Sequence, residues 1–221
     1  MFNHKKNSMK NRNYFIALLL TYILCFNSTT STAQTAKDVF DSDFPITYLG
    51  IDFSNARCYG EGARFDAADI TQKINDVARN EYDKYNLAEA IKKNKLDIRF
   101  ELTEKLNSKI NDDKFFTYNE SDLNKLEEAD IQKIVSKYNF TGYDKGLAVI
   151  FIVDNLNKSK TEEVAWITFI NISTKKVIFT EKVVAKAGGF GLRNYWAKPF
   201  YTYIKDIKST LFKKWKSKYG S

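Results

Sequence analysis

Apolar positions along this chain change their period several times, and each change marks an element. An unbroken apolar run, YFIALLLTYILCF (14–26), comes first, followed by the small polar stretch NSTTSTAQT. Residues 34–44 carry mixed polar residues with no period and are expected to form a flexible leader. ITYLGIDF (46–53) then reads as a buried strand bounded by Pro45 and by Ser54-Asn55, with 56–59 extending it as an edge or a bend. Asp66 supplies an N-cap, and Ile70, Ile74, Val77, Ala78, Tyr82 and Tyr85 follow at helical spacing, which predicts an amphipathic helix over 67–84. A further helical turn or two is expected over 87–93. DIRFEL (97–102) alternates Ile98, Phe100 and Leu102 with polar partners, the signature of a half-buried strand. Residues 103–122 are polar and aperiodic and read as a long excursion.

Beyond them, Ile131, Ile134, Val135 and Tyr138 mark a helix over 127–139, and GLAVIFIV (146–153) is apolar on both faces, as a central strand must be. EVAWITFIN (163–171) and KVIFTEKVVA (176–185) predict a β-hairpin whose turn lies near Ser173-Thr174-Lys175. Gly188, Gly189 and Gly191 break the chain, and Phe200, Ile204, Ile207, Leu211 and Trp215 form the stripe of a closing helix with Pro199 in its first turn. The order β-α-β-α-β-β-β-α, without repeats or a linker, predicts a single α/β (α+β) domain over 45–221. It would hold a central mixed sheet of about five strands, a C-terminal hairpin and three to four helices.

The first 33 residues change both the compartment and the charge. Lys5, Lys6, Lys10 and Arg12 precede the 13-residue apolar run, and Ser31 and Ala33 follow it. This is a secretory signal peptide over 1–33, with cleavage expected after Ala33. A membrane-spanning helix needs about 18 or more apolar residues, so no retained transmembrane helix is expected. The full chain carries a formal charge of +8; without 1–33 it carries +4, of which residues from Lys205 onward supply +5. Basicity confined to one terminal helix is a poor footprint for nucleic acid, and no nucleic-acid partner is expected.

The only histidine, His4, and one of the two cysteines, Cys25, lie in the signal segment. A processed chain therefore has no imidazole and one thiol, Cys58. That excludes Ser-His-Asp and Cys-His catalysis, zinc sites of His and Cys, and an internal disulfide. Cys58 itself reads as a buried small residue beside the first strand. Neither Asp38, Asp41 and Asp43 nor Asn111-Asp112-Asp113 has calcium-loop spacing, so no metal and no cofactor is expected.

Three groups of residues could carry chemistry. Asp52 and Asp154 fall near the carboxyl ends of apolar strands, where ligands of open α/β sheets bind, and could form an acid/base couple or bind Mg²⁺; acids are also ordinary at strand ends. Around the glycine-rich turn, Gly189 and Gly191 could expose backbone N–H groups to an anion, with Arg193 adding charge, Asn194 reading a polar ligand and Tyr195 and Trp196 offering stacking surfaces. The same residues also suit a purely structural role, with glycines reversing the chain, Asn194 capping the helix and Tyr195 and Trp196 stapling it to the sheet. Finally, Lys213, Lys214, Trp215 and Lys216 could meet anionic lipid or an acidic partner, or serve the helix dipole and snorkel over the tryptophan.

YLGIDFS (48–54) and GGFGLRNYWAK (188–198) resemble segments of a family of exported bacterial proteins with no established function. The likeness covers most of the chain beyond the signal, and it implies export without supplying an activity. The element order is also similar to that of TolB N-terminal and CsgG-type periplasmic domains. Together these features predict a non-catalytic protein-interaction or envelope-assembly module in the periplasm or on the periplasmic face of the outer membrane, with an envelope protein as partner. Two alternatives are a carboxylate-based hydrolase of an envelope glycan, and a binder of an anionic ligand or lipid through the glycine-rich turn and the basic helix, with peripheral contact to an anionic membrane.

Overall fold

A computed structural model describes residues 35–220, and the expected signal segment lies outside the described residues. At the centre of the fold is β5 (Leu147–Asn157), buried at every position as its two-sided apolar pattern requires. One side of β5 receives two strands in succession, both parallel to it. β1 (Ile46–Asp52) lies along its first half, and β2 (Arg57–Tyr59) lies along its second. β3 (Leu96–Ile98) adds outside β1, and β4 (Phe116–Thr117) adds outside β2. On the other side β6 (Glu162–Asn171) runs antiparallel, followed by β7 (Lys176–Lys186) at the edge. The result is a mixed seven-stranded sheet, five positions wide.

The expected hairpin is β6–β7. Its turn needs no Asn-Gly pair, because Lys175 adopts a left-handed conformation at φ 54° and the Asn171 side chain accepts from the Thr174 N–H at 3.1 Å.

Alternation along β5 divides the core into two layers. Val149, Phe151 and Val153 face α2 (Ala67–Asn80) and the closing helix, whereas Ala148, Ile150 and Ile152 face Ile131 and Val135. The latter pair belongs to α6 (Glu128–Ser136), introduced by the predicted stripe. α2 starts at the predicted cap, where Asp66 accepts from the Asp69 N–H at 2.9 Å. It stops at Asn80, before the predicted 84. Tyr85 drops out of the stripe, and its hydroxyl donates to the Ala197 carbonyl at 3.3 Å. Asn86 then caps the short α3 (Leu87–Ala90) through the Glu89 N–H.

Three segments depart from the sequence reading. The predicted strand 97–102 ends at Ile98. Phe100 becomes the N-cap of α4 (Glu101–Asn107), so Phe100 and Leu102 fill opposite core layers from a helix start rather than from one strand face. The excursion 103–122 is organised into α4, α5 (Asp112–Phe115), β4 and a 3-10 turn (Glu120–Asp122). Asn111 and Asn119 start the last two helical pieces by accepting from the Lys114 and Ser121 N–H groups, local signals that no hydrophobic period reveals.

The leader is docked rather than free. α1 (Ala36–Val39) buries Val39 completely, Phe40 stacks on Phe179 at 5.9 Å, and the buried Lys93 ammonium donates to the Asp38 and Asp41 carbonyls. Desolvation lowers the Lys93 pKa to about 8.

The closing helix spans α7 (Leu192–Asp206), a π-helical segment (Ile207–Leu211) and α8 (Phe212–Tyr219). Pro199 lies in the interior of α7, not in its first turn. A proline there leaves the carbonyl four residues earlier without its helical donor. That carbonyl, of Tyr195, accepts from the Gly188 N–H at 3.0 Å instead.

Candidate functional site

The carboxyl ends of parallel strands are the usual place for a ligand in an open α/β fold. Here β2 and β5 end together at one pole, and β1 ends level with Ile152, short of it. The approach to that pole starts with the outer edge of β1. β3 pairs only with Ile46, Thr47 and Tyr48. Past that point side chains replace the missing strand. Asn75 accepts from the Ile51 N–H at 2.8 Å and donates to the Ile51 carbonyl at 2.9 Å. Asn107 accepts from the Phe53 N–H at 2.9 Å, and the Thr103 hydroxyl donates to the Leu49 carbonyl at 2.8 Å. Gly50 sits among these groups at φ 85°, and a Cβ there would lie 2.7 Å from Asn75 Oδ1 and 2.9 Å from the Phe100 ring. The YLGIDFS segment is therefore a strand end tailored to polar side-chain clamps.

Asp52 ends this strand and is fully buried. Its Oδ2 accepts from the Tyr138 hydroxyl at 2.6 Å and its Oδ1 from the Ser54 N–H at 2.8 Å. Asp52 pairs in register with Ile152, so Asp154 lies two residues further along the neighbouring strand. The structure thus brings the end of β1 and an interior position of β5 close together, which no periodicity could indicate.

Asp154 is only 3% exposed, and its Oδ2 has no hydrogen-bond partner, with the Lys182 ammonium 3.5 Å away. Burial raises its pKa, and Lys182 opposes that rise. Lys182 also lies 5.4 Å from the centre of the Trp166 ring. Both acids are thus enclosed, one in a hydrogen-bonded lock and one beneath a lysine. Of the two readings the sequence left open for these acids, their enclosure favours ordinary strand acids over an accessible acid/base couple.

The glycine-rich turn at the same pole is structural in its inner half and displayed in its outer half. Gly191, at φ 79°, is the N-cap of α7, a role the sequence reading gave to Asn194. Asn194 lies inside the first turn, where it donates to the Phe190 carbonyl at 3.1 Å and accepts from Arg193 Nε at 3.0 Å. Trp196 is not a stacking surface. It is completely buried, and its Nε1 donates to Glu61 at 3.1 Å. The Lys158 ammonium stands 3.4 Å from the centre of the Tyr195 ring and 3.8 Å from Glu61. Gly189, at φ 116°, turns the chain so that Phe190 projects into solvent at 96% exposure. Tyr118, just past β4 at this pole, is 84% exposed.

Beside the end of β1, a cleft of about 430 Å³ is lined by Ser54, Asn55, Arg57, Lys109 and Lys114 among others. Arg57 already donates to the Lys114 carbonyl. None of these cations figured in the sequence reading, because they come from three separate elements.

The four residues picked from the terminal helix separate in the structure. Trp215 is completely buried against Phe169 and Phe179, as its place on the apolar stripe predicts, and the alternative reading of it as a surface contact is corrected. Lys214 pairs with Glu181 at 2.8 Å. Lys213 and Lys216 remain on the surface.

Other functional-looking groups escaped the sequence reading. Asn75 had a usable signal, a polar residue beside Ile74 on the apolar stripe of α2. Tyr138 had none, since its aromatic ring satisfies the same stripe that its hydroxyl interrupts. Glu163 is fully buried on β6 with neither carboxyl oxygen hydrogen-bonded, and burial holds its pKa well above the usual range. Among the described residues no group of three His, Cys, Asp or Glu side chains could hold a metal ion, and no helix is long and apolar enough to cross a membrane. In comparisons with known proteins, the chain matches no family model and no curated protein sequence.

Proposed function

We propose that this chain is an exported, non-catalytic interaction module of the cell envelope, kin to the exported proteins whose YLGIDFS and GGFGLRNYW segments it resembles. The observation that carries the reading is Phe190. A large apolar ring at 96% exposure, held on an ordered turn by Gly189 and Gly191, is what a protein-binding anchor requires. Tyr118 adds a second exposed ring at the same pole. The strongest catalytic candidates point the same way, because Asp52 and Asp154 are 0% and 3% exposed and Asp52 is spent on internal hydrogen bonds. A glycan hydrolase would need two carboxyl groups flanking a bond in an open cleft.

The test replaces Phe190 with a photo-crosslinking amino acid in the native host, with exposed Lys105 as the control position. The reading expects one discrete adduct at position 190, none at 105, and loss of the same partner from Phe190→Ser protein that folds normally. Equal adduct patterns at both positions, or turnover of an envelope glycan by the pure protein, would overturn it.

A further inference from the structure

Four lysines of the closing helix differ in what surrounds them. Lys208 and Lys214 each hold an acid, Glu89 at 2.5 Å and Glu181 at 2.8 Å. Lys213 and Lys216 have no acid within ion-pair distance among the described residues, and both line a cleft of about 420 Å³ at the pole opposite Phe190. Lys92 forms the facing wall and is equally without an acid. Its ammonium stands 5.6 Å from the centre of the Phe212 ring.

Phe40 and Phe212 make the floor, in edge-to-face contact at 5.5 Å, and Ser42 adds a hydroxyl. Two acids flank Ser42 in the chain, and each accepts a hydrogen bond. Asp43 accepts from Asn94 at 2.7 Å, and Asp41 accepts from the Asp43 N–H at 3.0 Å. Lys92 also holds a left-handed φ of 53° after α3, a position glycine occupies with less strain.

Three lysines without acid partners lining one concavity concentrate positive charge there, which an anion would offset. Lysines bind phosphate as point charges, and an aromatic floor suits an apolar substituent next to that charge. We infer that the cleft formed by Lys92, Lys213 and Lys216 over Phe40 and Phe212 binds the phosphate of a phosphate ester. The shared chemistry is the phosphate group, whose source is either a lipid headgroup or a soluble ester. This site is independent of the interaction surface around Phe190.

Calorimetric titration of the protein, purified in the form its host accumulates, tests the inference with three probes. These are dihexanoyl phosphatidic acid below its micelle concentration, glycerol 3-phosphate, and dihexanoyl phosphatidylcholine. Saturable binding of the phosphatidic acid at least about tenfold tighter than the other two identifies a lipid headgroup. Equal binding of phosphatidic acid and glycerol 3-phosphate identifies a soluble ester, and either result supports the site. Lys92→Gln/Lys213→Gln/Lys216→Gln, all at exposed positions, is expected to weaken binding at least about tenfold, since a charge-assisted contact is lost at each. Lys208→Gln/Lys214→Gln removes charge outside the cleft and is expected to leave binding within about twofold. Binding of none of the probes, or equal loss in the two variants, overturns the inference.

Discussion

The N–H of Gly188 donates to the carbonyl of Tyr195 at 3.0 Å, and that carbonyl is free because Pro199, one turn further along α7, has no N–H to give it. A defect in the helix is thereby the anchor of the turn that displays Phe190. The glycines and the proline of GGFGLRNYWAKP act together, although they are separated by most of two helical turns.

Pro199→Ala supplies a competing donor for the Tyr195 carbonyl. Hydrogen exchange at the Gly188 amide is expected to accelerate by about fivefold, since one hydrogen bond of about 1 kcal/mol is contested. Global stability is expected to hold or rise, because proline in a helix interior costs up to about 3 kcal/mol. Unchanged protection at Gly188 would show that the anchor does not depend on the proline.

Gly50→Ala is expected to be among the most damaging single-methyl substitutions in the chain. Its Cβ would lie 2.7 Å from Asn75 Oδ1 and 2.9 Å from Thr103 Oγ1, at a φ of 85° that alanine resists. A loss of about 3–5 kcal/mol in urea unfolding is expected, against less than about 0.5 kcal/mol for a surface change. Gly62→Ala is the matched control, since a Cβ added there would meet no atom within 4 Å. Similar midpoints for the two variants would refute the clamp around β1.

Tyr138→Phe removes the 2.6 Å hydrogen bond to Asp52 while keeping the ring in the core. The expected cost is about 1.5–3 kcal/mol, because the acceptor is a buried carboxylate. In a double-mutant cycle with Asp52→Asn the two changes should couple by more than about 0.5 kcal/mol. Strict additivity would show that the pair does not hold β1 to α6.

Glu163 gives the protein a pH dependence of definite sign. Its folded pKa lies well above the ordinary carboxyl value because it is fully buried without partners. The folded state therefore keeps a proton that the unfolded chain releases above its own pKa of about 4.5. The contribution is fully present below that pH and is lost as pH rises toward the folded value, at up to about 1.4 kcal/mol per pH unit. Glu163→Gln should flatten the fall in stability between about pH 5 and 8 that linkage predicts. Parallel curves for the two proteins would mean that Glu163 finds a partner on ionising.

The hydrophobic pattern by itself determined the mixed α/β class, the two-sided central strand, the hairpin and the helices over 67–84, 127–139 and after Gly191, the first two of which the structure trims to 67–80 and 128–136, because burial imposes a period that sequence preserves. It also located the glycine-rich turn and the lysines of the last helix. It could not choose between the buried and the displayed reading of Trp196 and Trp215, dock Phe40 under α8, or assign Pro199 to a helix interior. Those outcomes depend on which surfaces meet across more than a hundred residues, as Trp196 meets Glu61.

Only the tertiary structure decided the fate of the polar groups. Asp52 was legible as a strand-end acid, but whether such an acid is a catalyst or a lock depends on a hydroxyl 86 positions away. Local sequence encodes period and capping. Desolvation and pairing, which set what a charge can do, are properties of the assembled fold.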